Sequence, residues 1–117
     1  MISMEISNVG VDIVNIERFR KKEYNENKKF YEKIFTKSEI KYCLSFKNKS
    51  EHFAGKFAIK EAVKKSIKEK ISFTEIVTSH NNSKPKIILK KKLNYRFLVS
   101  ISHEKDFAIA MVIALDA

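Results

Sequence analysis

Residues 53–68 read FAGKFAIKEAVKKSIK, and the reading of that stretch decides the architecture. After Gly55 the run holds no turn former and is rich in Ala, Lys and Glu, so it predicts a long helix. Ser50, with Glu51 and His52 behind it, is the expected N-cap with an acid in the first turn. At roughly 100° per residue, Ile59, Val63 and Ile67 form one apolar stripe beside Ala62 and Ser66. Phe53 and Phe57 form a second stripe, Glu61 lies one turn beyond Phe57, and Ala54, Ala58 and Lys65 flank the other side. Glu61 is therefore expected to border packed residues. The plain reading of Glu61 and Lys65 is a helix-surface pair worth about 0.2–0.5 kcal/mol.

The rest of the chain reads outward from this helix. Upstream, ISNVGVDIV at 6–14 is β-branched and apolar and predicts the first strand. Its one acid, Asp12, is either a cap for the next helix or a carboxylate held for a metal. Asn15 is expected to cap IERFRKK at 16–22, with Ile16 and Phe19 inward. KKFYEKIF at 28–35 repeats apolar residues at Phe30, Ile34 and Phe35. Thr36 and Glu39 make a capping box for a helix through Ile40 and Cys43 to about Phe46.

Downstream the pattern switches to strands. SFTEIVTS at 72–79 leads to a turn at Asn81, Asn82 and Ser83, then to KPKIILK at 84–90. Lys90 to Asn94 is a short basic link, long enough for one helical turn. YRFLVSI at 95–101 and FAIAMVIAL at 107–115 pair as a hairpin through SHEKD. A strand, several helices and then strands predict an α+β fold, with the central helix laid on an antiparallel β-sheet.

Composition narrows the class. A chain of 117 residues fits a single domain with a modest core. No apolar run approaches the roughly 20 residues of a membrane span, and MISMEISNVG lacks the layout of a signal peptide. Cys43 is the only cysteine, which excludes an internal disulfide and a cysteine metal knuckle. The expectation is a cytoplasmic protein with no membrane segment. The 24 basic against 14 acidic residues give a net +10, which suggests a polyanionic partner: nucleic acid, phosphorylated cofactor, anionic membrane or acidic protein. Only Arg18, Arg20 and Arg96 are arginines, and so lysine-rich a composition makes charge position more telling than the total. Two glycines, Gly10 and Gly55, stand where an average chain would have about eight, so each is expected to serve a close approach or an unusual φ.

Asp12 and Glu61 both interrupt apolar elements, and buried carboxylates are costly unless paired with a cation or metal. Lys56, Lys60, Lys64 and Lys65 surround Glu61, and His103 stands at a strand-to-turn junction. Two acids with several lysines suit a hard cation, Mg²⁺, bridging to phosphates, and do not suit zinc. No P-loop or GxGxxG is present.

GVDIV at 10–14, FAGKFAIKEAVKK at 53–65, KP at 84–85 and SISH at 100–103 together resemble the 4′-phosphopantetheinyl transferases. Length and motif order are similar to the short, holo-acyl-carrier-protein synthase branch, and RF at 18–19 and FTKSE at 35–39 extend the likeness over nearly the whole chain. The resemblance implies transfer of the 4′-phosphopantetheine arm from coenzyme A to a serine of an acyl carrier protein, leaving adenosine 3′,5′-bisphosphate. It implies Asp12 and Glu61 as Mg²⁺ ligands, with Glu61, directly or through water, as base for the serine proton. Lys65 would stabilise or protonate the leaving phosphate. Lys56, Lys60, Lys64, Ser102 and His103 would contact coenzyme A, and Arg18, Arg20 and Lys21 would meet the acidic carrier protein. A homotrimer with sites at subunit interfaces is likewise implied. Two places depart from the family pattern: SIKEKIS at 66–72 is short and lacks glycine, and Ser83 replaces the usual glycine before KP.

Two other readings compete. One is a basic module binding RNA or the ribosome, supported by the charge and by Tyr24, Tyr31, Tyr42 and Tyr95 among lysines. It leaves Asp12 and Glu61 unexplained. The other is a non-catalytic homologue.

Overall fold

A computed structural model describes residues 5–81 and 84–117. The chain opens with β1 (Ile6–Asn15), followed by α1 (Glu17–Arg20), α2 (Lys28–Glu32), α3 (Lys37–Leu44) and the long α4 (Lys49–Ser66). Then come β2 (Ile76–Asn81), β3 (Lys84–Leu89), β4 (Tyr95–Glu104) and β5 (Phe107–Asp116). All pairing is antiparallel, in a three-stranded sheet of order β1-β5-β4 and a separate ribbon of β2 and β3. The expected α+β class holds, with two sheets instead of one. Among the described residues no helix is long and apolar enough to cross a membrane.

Helix α4 is the centre of the molecule. Every residue from Phe53 to Lys60 is buried, so the helix is enclosed on all sides and not merely laid on a sheet. One side rests on the sheet face formed by Gly10, Val14, Ala108, Ala110, Val112 and Ala114, where small side chains let the backbones approach. Another side meets aromatic rings: Phe53 lies 4.7 Å from Tyr31, 5.0 Å from Phe35 and 6.3 Å from Phe19, between ring centres. The helix begins four residues before the stretch that announces it. Asn48, not Ser50, is its N-terminal flanking residue, and the Asn48 amide donates to Glu51 at 2.9 Å. It stops at Ser66, because Ile67 turns extended and buries its own side chain, so Lys68 lies outside it.

Smaller elements follow local chemistry. Asn15 Oδ1 accepts the Glu17 N–H at 3.0 Å, and Ile16 and Phe19 are buried as expected. The Thr36–Glu39 capping box is complete in both directions. The segment expected as a strand from Ser72 instead begins with a second capping box, Ser72 with Glu75, and a 3₁₀ turn at Phe73–Glu75 before β2. Lys90–Asn94 forms no helical turn. The expected turn at Asn81–Ser83 lies partly outside the described residues, and Ser83 wholly so. Lys105 turns the β4–β5 hairpin with φ 46°, the only positive φ among the described residues.

Neither glycine needs a positive φ; both serve close approach. A Cβ on Gly10 would overlap the backbone carbonyl of Ala62, so β1 presses directly on α4. A Cβ on Gly55 would lie 2.7 Å from Ile101 Cδ1 and 3.0 Å from His103 Nε2, both ends of side chains that can give way. Gly10→Ala is therefore expected to lower unfolding stability by about 1–3 kcal/mol, since backbone must move. Gly55→Ala should cost less, its strain offset by the better helix propensity of alanine. Urea unfolding of the two variants checks the order.

Candidate active site

The two candidate carboxylates, Asp12 and Glu61, sit on β1 and α4, the two elements of one seam. Side chains alternate along β1, so Asp12 shares the helix-facing side with Gly10 and Val14. Its side chain is only 14% exposed. From α4, Lys65 reaches across, donating to Asp12 Oδ1 at 3.1 Å and to the Val11 carbonyl at 3.0 Å. The expected Glu61–Lys65 helix pair does not form. Glu61, one turn earlier on the same helix, is half-buried and makes no hydrogen bond or ion pair with any described residue. No third His, Cys, Asp or Glu joins the two acids among the described residues. Two oxygen donors without a closed cage fit a cation that keeps several of its own waters, as Mg²⁺ does, and do not fit zinc.

Other expected site residues have partners within the chain. Lys60 is completely buried, and its Nζ donates to Glu39 Oε1 at 2.6 Å, Ile34 O at 2.8 Å and Phe73 O at 3.0 Å. Those contacts use all three ammonium protons, so none is left for a coenzyme phosphate. Lys56 is also buried, donating to Thr78 Oγ1 at 2.9 Å and Thr78 O at 3.3 Å and lying over the Tyr42 ring. Glu39 closes the network. Its Oε1 accepts the Thr36 N–H as well as Lys60, and its Oε2 accepts the Thr78 N–H and hydroxyl, both at 2.7 Å. Burial pushes the Glu39 carboxyl up, but the Lys60 ammonium and these donors outweigh it and hold the group below the usual range. Burial lowers the Lys60 ammonium, and the Glu39 carboxylate opposes that shift. Glu39 was legible in the sequence only as half of a capping box.

His103 lies beside Gly55 with Nδ1 3.8 Å from Glu51. Ser102 alternates to the opposite, outer face of β4, so the two cannot grip one group on a single chain. The Lys64 ammonium sits 3.9 Å above the Phe73 ring. On α1, Arg18 is exposed and lies over Phe57 at 4.9 Å, and Lys21 is exposed. Arg20 is engaged within the chain, 2.9 Å from Asp106 and 3.3 Å from the Lys105 carbonyl. The glycine-free segment after α4 needs no left-handed residue; Ile67 and Ile71 are buried and Tyr95 Oη donates to Glu69 at 2.6 Å.

The tyrosines expected to stack on nucleotides are used internally. Tyr31 is buried with its hydroxyl on the Lys22 carbonyl at 2.6 Å, Tyr24 packs against Tyr31, and Tyr95 holds Glu69. Tyr42 stacks on His80 with rings 4.8 Å apart and 6° from parallel. Burial, then Lys56 and His52, pushes the His80 imidazole down to about 4, and its Nδ1 is buried without a partner among the described residues. The unfolded chain takes up that proton near 6.5, so the stability from neutral His80 is complete above pH 6.5. It is lost as pH falls from 6.5 toward 4. The urea midpoint should fall across that window, and His80→Phe, which keeps the stack but cannot titrate, should flatten the fall.

Known proteins fit this geometry. Residues 8–112 match the model of the 4′-phosphopantetheinyl transferase superfamily. The chain is 38% identical to a holo-[acyl-carrier-protein] synthase of Chlamydia felis, over 96% of this chain and 99% of that protein. It is 40% identical to the Thermodesulfovibrio yellowstonii synthase, over 92% and 97% of the two chains. Among solved structures, the Bacillus anthracis synthase in complex with CoA (3′,5′-ADP) superposes with a TM-score of 0.82 at 32% identity, covering 98% of this chain and 100% of that one. The Helicobacter pylori synthase in complex with coenzyme A gives 0.78 at 38%, covering 91% and 98%. With the motif residues standing at the β1–α4 seam and such relatives along nearly its whole length, the chain belongs to the 4′-phosphopantetheinyl transferase superfamily.

Proposed function

We propose that this chain transfers the 4′-phosphopantetheine group of coenzyme A to a serine hydroxyl of an apo acyl carrier protein, releasing adenosine 3′,5′-bisphosphate. The observation that carries the reading is the seam itself: Asp12 held by Lys65, with Glu61 one turn away and free of partners among the described residues. Asp12 and Glu61 are the residues that would hold Mg²⁺. When bound there, the cation offsets charge on the coenzyme diphosphate and improves the departing bisphosphate as a leaving group. Glu61, half-buried and unpaired among the described residues, accepts the proton of the carrier serine. Lys65, whose side chain is 54% exposed, neutralises the leaving phosphate. His103 and Lys64 face coenzyme A in this reading; Lys56 and Lys60 support α4 from within.

Arg18 and Lys21 present positive charge beside the seam to the acidic carrier protein. The assembly we assign is a homotrimer, supported by the outer face of the sheet. There Val9, Val11, Ile13, Leu98, Ile109 and Met111 are all more than a third exposed, an apolar surface that a lone chain would leave wet. The same reading places the protein in the cytoplasm.

Intact mass of an apo carrier protein incubated with this protein, coenzyme A and Mg²⁺ tests the activity. One phosphopantetheine should be gained, and the gain should vanish with EDTA. Glu61→Gln is expected to abolish transfer while leaving the urea midpoint unchanged; full transfer by that variant would overturn the assignment. Arg18→Ala should raise KM for the carrier protein several-fold more than KM for coenzyme A. Met111→Lys should convert the trimer to smaller species in analytical ultracentrifugation, and a wild-type monomer would refute the assembly.

A further inference from the structure

Lys65 does something that a residue reserved for the leaving phosphate need not do. Of the two carboxylates within its reach it ignores Glu61, its own helix neighbour at i−4, and crosses the seam to Asp12. It also donates to the Val11 carbonyl, so two of its three protons point at β1 oxygens. Asp12 is nearly enclosed, whereas the Lys65 side chain is 54% exposed and can swing away without disturbing the core. The Asp12 carboxylate thus already has a cation.

We propose that Lys65 is a built-in competitor for the metal: its ammonium occupies Asp12 in the resting protein, and a divalent cation binds well only once coenzyme A phosphates have drawn Lys65 away. The proposal rests on the reading of Asp12 and Glu61 as metal ligands. Its physical content is a linkage. The cation and the ammonium cannot share one carboxylate without close repulsion, and the phosphates give the ammonium an alternative partner of higher charge. Coenzyme A and the divalent ion therefore favour one another's binding, through one side chain that must change partners. Glu61, with no ammonium on it, stays open throughout.

Mn²⁺ binding to the full-length protein, followed by loss of the free-ion EPR signal, tests this without reference to transfer. Without coenzyme A, Lys65→Met should bind Mn²⁺ about two- to fivefold more tightly than wild type, the range expected for removing one partly exposed ion pair. Lys65→Arg, which keeps the charge, should bind as wild type does. Adding Asp12→Asn to Lys65→Met should erase the gain. With coenzyme A present the gap between wild type and Lys65→Met should narrow, because wild-type Lys65 has left Asp12. Equal or weaker Mn²⁺ binding by Lys65→Met, or a gap unchanged by coenzyme A, would overturn the proposal. The two readings fail separately. If Asp12→Asn loses Mn²⁺ while Lys65→Met binds it as wild type does, the metal site stands and the competitor falls. If no variant binds Mn²⁺ with or without coenzyme A, the metal site itself is wrong and the proposal falls with it.

Discussion

The contact on which the rest depends is the one between Gly10 and the Ala62 carbonyl. Strand and helix touch there backbone to backbone, with no side chain between them. A closer approach than side chains normally allow lets functional groups two or three residues away on each element meet: Asp12 on β1 and Lys65 on α4. Any Cβ at position 10 would lift β1 from the helix and open that seam. The alanines of β5 continue the same tactic across the sheet, at 108, 110, 112 and 114, so α4 lies close along its length.

Close approach along one face leaves the rotation of the helix about its own axis to be set from the other. The Glu39–Lys60–Thr78 network does this. Lys60 precedes Glu61, and its ammonium is tied to oxygens on three separate segments: the Ile34 carbonyl, the α3 carboxylate and the Phe73 carbonyl. A buried pair of this kind adds little net stability over apolar packing, and losing one partner costs about 3–5 kcal/mol. Its value is directional, because an ammonium with three fixed acceptors permits one azimuth, and that azimuth turns Glu61 and Lys65 toward β1. The stacked Tyr42 and His80 and the buried Lys56 extend the same wall.

Much of this was legible in the sequence where a residue's local pattern and its tertiary use coincide. The helical stripe of Ile59 and Val63, the Thr36–Glu39 box and the 95–115 hairpin are cases in which periodicity and burial agree, whereas Ile67 is buried from an extended residue just past the helix. The scarcity of glycine marked Gly10 and Gly55 as close-approach positions, and both are. Lysine was the residue type that sequence reading handled worst. Lys56, Lys60, Lys64 and Lys65 lie on one helix within ten residues, yet two are buried supports, one covers an aromatic ring and one crosses to a strand. No spacing rule separates them, because their partners, Thr78, Glu39, Phe73 and Asp12, come from four other segments. The second use of Glu39 was hidden for the same reason: a capping box satisfies the local pattern and conceals the long-range bonds. The start of α4 differs from expectation because Asn48 and Ser50 are equally good caps by type, and the helix begins after the first of them.

The distribution of those lysines also alters what the net charge means. A total of +10 suggests a surface coated for a polyanion. Several of the most telling cations are withdrawn from that surface: Lys56 and Lys60 into the core, Arg20 onto Asp106 and Lys65 onto Asp12. What distinguishes them is reversibility. The buried lysines are fixed by acceptors that cannot leave, whereas Lys65 has a half-exposed side chain held by one carboxylate and one carbonyl. A chain that needed charge only for attraction would have left that ammonium in solvent. On the proposal that Asp12 holds a metal, keeping the ammonium there would tie anion binding to cation binding at one side chain, which a diffuse basic surface cannot do.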